Sequence, residues 1–448
     1  MGKGMDVARL NFSHGSHSFH HRLIKTIREG IKKYGRPVTI LQDLQGIKIR
    51  VGLIKNGVAE LSKGAEVLIY PGQGLGDERN LFVSYPLLLK DAVLGDRILL
   101  DDGLILLNVT GKTDTALITR VIEGGIIKDK KGVNLPGMRI SQRAFTEKDR
   151  KDLEFGLQME VDYIAISFVR TAHDVSIVRA WMKKKGRNIP IIAKIEKPEA
   201  LLNIDAILDE ADGIMIARGD LGVEVKPEEV PVIQKELIKK ANQKGKIVIT
   251  ATQMLESMKE HVRPTRAEAT DVANAVIDGT DALMLSGETA SGAYPLESIR
   301  MMDKIIRFTE GAGQIPSVYA RGNSYADALA DAACRAAEDI SAKVLVAFTV
   351  SGFTALLLSK FRPTVPIVAF TPDRSVIARL PFYWGVTPEY IKPLDNIDQM
   401  LRDVEQILLE KKIVKKNDRI VIITCSRLPT KGTAYGKTNF MKLHEIGG

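Results

Sequence analysis

The sequence predicts an α/β protein: a (β/α)8-type TIM barrel whose first strand is missing from view, carrying an inserted small all-β module and followed by an open α/β domain. Three observations support this. Short apolar, β-branched runs alternate with segments of helical length, the pattern of repeated βα units around a parallel sheet. From Lys48 to about Gln142 helical periodicity disappears, and short strands alternate with Gly-rich turns. The chain has 448 residues, too many for one ordinary core, so two or three domains are expected.

The strand candidates run in order along the chain. Asp6–Phe12, Val38–Leu44, Tyr163–Phe168, Pro190–Ile195, Gly213–Ala217, Ile247–Ala251 and Ala282–Leu285 read as barrel strands. Amphipathic stretches such as Ser176–Lys185 and Pro231–Ala241 separate them, with Pro231 suited to a first helical turn. A barrel needs eight strands and these are seven, so either one is too weak to see or the chain begins inside the barrel. The insertion after the second strand is marked by the turns Lys55-Asn56-Gly57, Lys63-Gly64, Asp101-Asp102-Gly103 and Glu123-Gly124-Gly125. From about Gln314 a third region brings its own strands, Lys343–Phe348, Pro366–Phe370 and Arg419–Thr424, with helices between. The expected division is barrel at 1–47 and 143–313, β module at 48–142, and α/β domain at 314–448.

Composition excludes several function classes. Hydrophobic residues make up 45% and charged residues 27%, as in a soluble globular chain. No apolar run reaches the length of a membrane span, so no membrane partner is expected. Met1-Gly2-Lys3-Gly4-Met5 lacks the apolar core of a signal peptide. Cys334 and Cys425 cannot build a disulfide framework, and no metal-type spacing surrounds them. A cytoplasmic location fits all of this. The net charge of +9 comes from 64 basic and 55 acidic residues. The basic ones are spread along helical stretches such as Ile177–Arg187 and Gln234–Lys246, without interleaved aromatics. Nucleic acid is therefore not expected as a partner, whereas small phosphorylated anions suit a positive surface.

In (β/α)8 barrels the reactive side chains come from the C-terminal ends of the strands. Here those ends carry Arg9, Asn11 and Ser13, then Asp43, Ser167, Lys194 with Glu196, Asp220, Thr252, and Ser286 with Glu288. Some polarity is ordinary where strands meet solvent, but charge on nearly every strand exceeds that. Lys194 and Glu196 stand two apart, as do Arg9, Asn11 and Ser13, and residues two apart on a strand point to one side. The lysine and glutamate can equally be a local ion pair at the rim. Glu196 and Asp220 sit at neighbouring strand ends and suit Mg²⁺, which takes few protein ligands and keeps water or phosphate oxygens. Asp220 can instead simply cap the segment after it. Phosphoryl transfer needs positive charge around the moving group, and Arg9, Arg50, Lys194 and Mg²⁺ could supply it. No P-loop motif is present.

At these residues the chain resembles the pyruvate kinase family along almost its whole length. Arg9-Leu10-Asn11-Phe12-Ser13-His14-Gly15 resembles the family's substrate and monovalent-cation segment. Ala193-Lys194-Ile195-Glu196 resembles its catalytic-lysine strand, and Ala217-Arg218-Gly219-Asp220-Leu221-Gly222 its metal-binding loop. Ala251-Thr252-Gln253-Met254-Leu255-Glu256-Ser257-Met258 and Arg263-Pro264-Thr265-Arg266-Ala267-Glu268 resemble nucleotide-side and interface segments, and Leu285-Ser286-Gly287-Glu288-Thr289-Ala290 closes the barrel similarly.

The resemblance implies phosphoryl transfer between phosphoenolpyruvate and ADP, giving pyruvate and ATP, by a homotetramer. It implies that Lys194 neutralises the phosphoryl group, with Arg9 beside it, and that Glu196 and Asp220 hold Mg²⁺ or Mn²⁺. Backbone near Arg218 and Gly219 meets the substrate carboxylate. Thr252 lies on the protonation side, supported by Ser286 and Glu288, and Ser167 joins the substrate pocket. Arg50 reaches the phosphate from the β module, a small β-barrel lid, and His14, Lys131 and Asn11 lie on the ADP side. Thr349-Val350-Ser351-Gly352-Phe353-Thr354 resembles an effector phosphate loop in which Thr349, Ser351, Gly352 and Thr354 face a phosphate; Ser351 as a plain N-cap reads nearly as well. Three departures stand out. The family's first barrel strand lies upstream of this start, so the chain is expected to be N-terminally truncated. Leu44-Gln45-Gly46-Ile47-Lys48 replaces a segment with Thr, Lys and Glu, and Val51 stands where those members have Thr. The last two fit the branch that works without K⁺, in which Lys48 stands in for the ion near Asn11, Ser13 and Asp43. Two other readings stay open on sequence: a truncated regulatory relative without turnover, and a Mg²⁺-dependent 2-keto acid aldolase.

Overall fold

The computed structural model describes residues 2–447 except 314, 316, 318, 320, 321, 323, 394, 395 and 425–437, so Cys425 lies outside the described residues. Seven parallel strands form one sheet in chain order: β1 (Val7–Asn11), β2 (Thr39–Asp43), β3 (Tyr163–Ile166), β4 (Ile191–Ile195), β5 (Gly213–Ala217), β6 (Ile247–Ala251) and β7 (Ala282–Leu283). Each lies inside its expected span. Their alternation sorts side chains into two layers. Ile164, Ala193, Ile195, Ile214 and Val248 face outward into a core shared with the helices. Leu41, Tyr163, Ala165, Ile192, Met215 and Ile249 face inward and fill the barrel.

Helices α1 (His17–Tyr34), α2 (Glu147–Gln158), α3 (Ala172–Lys184), α4 (Arg218–Glu224), α5 (Val230–Gln243), α6 (Arg266–Ile277) and α7 (Pro295–Ala312) connect the strands. Helix α3 starts four residues before the expected Ser176, because Thr171 and Asp174 form a capping box that the apolar pattern alone does not show. Thr265 and Glu268 do the same for α6, and Glu268 also accepts from the Ser257 N–H and hydroxyl. Part of the Arg263–Glu268 resemblance is therefore helix-start chemistry.

Between β2 and β3 the chain builds the β module. A six-stranded sheet, from Glu66–Pro71 to Val133–Asn134, closes over Val67, Ile69, Leu81, Ile98, Leu107 and Leu117. The module returns to the barrel through Val133–Asn134, which pairs with Leu99 and Leu100. On its other stem Gly46 adopts φ +66, with Ser167 and Phe168 so near that a Cβ would meet them at 3.0–3.1 Å; glycine allows that close crossing.

The last domain is a five-stranded sheet flanked by α8 (Tyr325–Asp339), with β8 (Val344–Phe348), α9 (Phe353–Lys360), β9 (Ile367–Thr371), β10 (Val386–Tyr390), α10 (Ile397–Glu410), β11 (Arg419–Thr424) and β12 (Phe440–Glu445). The expected β8, β9 and β11 form its centre; the edges β10 and β12 were not expected. Pro388 within β10 hides it, since proline is tolerated only at a sheet edge, where β10 lies. Buried Cys334 packs in this domain, its thiol pushed up to about 12 by burial. Phe382 and Leu356 enter the apolar filling of the barrel, with Phe382 stacked on Tyr163. Beside them, buried Lys360 and Arg362 both bind Asp281, just before β7, at 2.5 and 2.8 Å.

Candidate active site

The C-terminal strand ends carry a ring of charge above the apolar filling. Lys194, only 8% exposed, is its centre. Its ammonium lies 2.9 Å from Glu196 Oε1 and 3.3 Å from Asp43 Oδ1, and donates to Ser167 Oγ at 2.7 Å. Arg9 grips the other oxygen of Asp43 at 2.6–2.7 Å. Burial works against the Lys194 ammonium, but Asp43 and Glu196 outweigh it and hold the pKa well above the usual value. Burial alone would raise Asp43; Lys194 and Arg9 pull it below its usual range. Lys194 gains from two carboxylates, while Glu196 shares one lysine and faces Asp220. Glu196 is accordingly pushed up, first by burial and then by the Asp220 charge, against the pull of Lys194.

That imbalance is what a cation would correct. Glu196 Oε2 accepts the Phe168 N–H at 2.7 Å, and Asp220, the third residue of α4, lines the cleft beneath the β module with Lys48 and Asp102. Among the described residues no group of three or more His, Cys, Asp or Glu gathers for a metal. A pair of carboxylates alone fits a hard cation completed by water or ligand oxygens, not a softer ion.

Thr252, directly after β6, sits at φ +68, a left-handed conformation that costs a β-branched residue about 1–3 kcal/mol. Its hydroxyl accepts the Gly219 N–H at 2.7 Å and donates to the Ala251 carbonyl at 2.5 Å. The Arg218 guanidinium is engaged by Asp271 at 2.7 Å and the Thr252 carbonyl at 2.8 Å, so it joins α4 to the end of β6 and to α6. Glu288 is fully buried, and its oxygens accept the N–H groups of Leu255 and Ser286. It shapes the rim rather than offering a free carboxylate. Ser286 Oγ is buried with no partner among the described residues.

On the module's side, Arg50 donates to the Lys130 carbonyl at 2.6 Å and Lys131 pairs with Asp101 at 2.8 Å. Ser13 N–H binds Asn11 Oδ1 at 3.1 Å. Exposed His14 has its pKa lowered by desolvation and by the charges of Lys48, Arg50 and Arg9. Lys48 is half-buried, its pKa lowered by burial and Arg50 and sustained by Asp220. It does not stand in open solvent.

In the last domain Gly352, at φ +92, caps α9 without a side-chain bond. Ser351 is therefore not the N-cap. Thr349 Oγ1 accepts the Gly352 N–H at 2.9 Å, Ser351 Oγ the Phe353 N–H at 3.4 Å, and Thr354 bonds Thr438 at 2.8 Å. Sequence reading missed Lys197, Glu224 and Asn134, which meet beside Glu196 and Asp220. Their signal is two buried charges, one and two residues beyond the motif segments ending at Glu196 and Gly222, and it is visible only once burial is known.

Two family profiles match the chain: "Pyruvate kinase, barrel domain" over residues 1–299 and "Pyruvate kinase, alpha/beta domain" over 327–444. The chain is 46% identical to a pyruvate kinase of Geobacillus stearothermophilus over 454 residues, spanning 100% of this chain and 77% of the relative. It is 46% identical to one of Corynebacterium efficiens over 444 residues, covering 99% and 93%. Among solved structures it is similar to a pyruvate kinase from Cryptosporidium parvum, with TM-score 0.92 and 36% identity over 99% of this chain and 92% of that one.

Proposed function

The chain belongs to the pyruvate kinase family, and from that membership we propose how the mouth of its barrel divides the work of a phosphotransferase. Its reaction is the transfer of a phosphoryl group from phosphoenolpyruvate to ADP, giving pyruvate and ATP in glycolysis. The observation that carries our assignment is the buried Lys194 ammonium, held between Asp43 and Glu196 at the mouth.

Lys194 and Arg9 lie where the phosphoryl group passes, and Arg50 meets it from the lid. Glu196 and Asp220 hold Mg²⁺ or Mn²⁺, which supplies neutralisation of ligand oxygens. The substrate carboxylate rests on backbone at Arg218 and Gly219, and Ser167 keeps Lys194 aimed. The P–O bond to the enol oxygen breaks as one to the terminal oxygen of ADP forms. The enolate left behind takes a proton at its methylene carbon on the Thr252 side, near the buried Ser286 hydroxyl, which has no partner among the described residues. His14, Lys131 and Asn11 attend the nucleotide. The lid excludes water, so the group reaches ADP rather than solvent. Lys48, half-buried in the cleft, takes the place of K⁺ near Asn11, Ser13 and Asp43. The N-terminus of α9, where Gly352 caps the helix without a side-chain bond, receives a phosphorylated effector with Thr349, Ser351 and Thr354.

We divide the chain into 1–47 with 143–313, 48–142 and 314–448, a reading supported by its separate sheets. Among the described residues no helix is long and apolar enough to cross a membrane, and a cytoplasmic homotetramer fits this and the exposed Phe308 and Tyr325 on α7 and α8. The test is turnover: purified chain with phosphoenolpyruvate, ADP and Mg²⁺ yields pyruvate and ATP in equal amounts. A folded chain that binds phosphoenolpyruvate but makes neither product is a regulatory relative instead.

A further inference from the structure

A second buried charge cluster lies one step from the metal carboxylates and takes no part in that chemistry. Lys197 directly follows Glu196, and Glu224 ends α4, the helix that presents Asp220. Lys197 is 8% and Glu224 6% exposed, and their ion pair is 2.5 Å long. The same oxygen, Glu224 Oε1, accepts the side-chain amide of Asn134 at 3.1 Å. Glu224 Oε2 is buried with no partner among the described residues. Asn134 belongs to the lid stem and pairs with Leu99, so it stands beside the turn Asp101-Asp102-Gly103. That turn reaches α4 as well: a Cβ on Gly103 would stand 3.6 Å from Val223. Consecutive residues of α4, Val223 and Glu224, thus meet the lid at one corner, with Asp102 and Asp220 lining the cleft beside it.

We propose that Glu224, fixed by Lys197, is the seat on which the lid lands through Asn134, and that these three are positioning residues setting the lid's height above Asp220. The pair ties β4 to α4 whatever the lid does. The Asn134 bond is the part a moving lid can make and break. Burial favours its making, because a carboxylate shut away from water depends on every donor it has. The inference rests on the phosphotransferase reading.

The test compares Asn134→Leu, which keeps the side chain's size and removes the donor, with Lys197→Met and the wild type. Three quantities are read: kcat and KM for phosphoenolpyruvate, the share of phosphoenolpyruvate consumed that appears as inorganic phosphate instead of ATP, and hydrogen exchange of lid amides without ligands. For Asn134→Leu, kcat/KM falls about tenfold, as expected for one hydrogen bond to a charged acceptor. The phosphate share rises, exchange at residues 97–112 quickens, and the thermal midpoint holds. A midpoint that drops with the partition to water and lid exchange unchanged overturns the proposal, as does a variant indistinguishable from wild type. Should Lys197→Met fail to fold, Asn134→Leu decides alone. An inactive wild type overturns the phosphotransferase reading, while lid exchange still tests the catch.

Discussion

At the scale of single residues, the site is organised around one ammonium. Lys194 is held by two carboxylates and a hydroxyl before any substrate arrives, so its charge is fixed and needs no reorganisation during transfer. Lys194→Met should lower kcat by about a hundredfold or more, on the order of 3 kcal/mol of lost electrostatic stabilisation. Near-normal turnover in a folded variant would remove it from the chemistry. Lys48 poses a sharper question. Its ammonium shares the mouth with Lys194 and Arg50 and draws on Asp220. Another cation placed there meets repulsion of roughly 4 kcal/mol at close range near a protein surface. Wild-type activity with a bulky organic cation as the sole monovalent ion should therefore match that in K⁺. Lys48→Glu should create a K⁺ requirement; strong K⁺ activation of the wild type would show that Lys48 does not replace the ion. The lysine–glutamate spacing made their shared direction legible in the sequence. That Glu288 spends both oxygens on backbone N–H groups was not, because residue type says nothing about partners.

At the scale of elements, the carboxylate pair proposed to hold the metal sits where β4 meets α4. Asp220 is placed by a helix whose start is held through Arg218 to Asp271 and Thr252, and Glu196 by the Phe168 N–H. Neutralising either carboxylate removes one of two anionic ligands. Glu196→Gln and Asp220→Asn should each raise the Mg²⁺ concentration for half-maximal activity, by about tenfold or more, with a smaller effect on the KM for ADP. Superimposable Mg²⁺ titrations would rule out the assignment. The barrel strands β2 to β6 were legible because each is a wholly buried run carrying β-branched residues. The edge strands β10 and β12 were not. An edge needs less apolar burial, so Val386–Tyr390 carries proline and Phe440–Glu445 carries charge. Helix starts were blurred for the opposite reason: capping boxes extend α3 upstream of its apolar stripe.

At the scale of the whole molecule, the barrel and the last domain share buried charge. Asp162, between β2 and β3, accepts the Ile40 N–H at 2.7 Å, yet burial pushes its pKa to about 7 despite Arg379 and Arg28. The folded state then keeps this proton up to about pH 7, whereas the unfolded chain releases it near the usual 3.8. Between those values the folded form binds more protons, so this group's contribution falls as pH rises and is least favourable above about pH 7. Asp162→Asn should match wild type below about pH 4 and be more stable at pH 8, by at most about 4 kcal/mol, from about 1.4 kcal/mol for each step in pKa. Thermal unfolding at both pH values checks this, and a variant less stable at pH 8 would contradict it. None of this coupling was legible in the sequence, since Asp281 lies 79 and 81 residues before Lys360 and Arg362 and meets them only through the docking of two domains. The same docking has a consequence for inheritance. Phe382 and Leu356 complete the apolar filling of a barrel to which they do not belong by sequence. A gene that kept the barrel and lost residues 314–448 would encode a vessel without a floor, with water admitted beside Tyr163 and Asp281 stripped of both its cations. The two halves can drift in sequence only in step, and recombination between distant relatives should succeed where the crossover leaves floor and vessel from one parent.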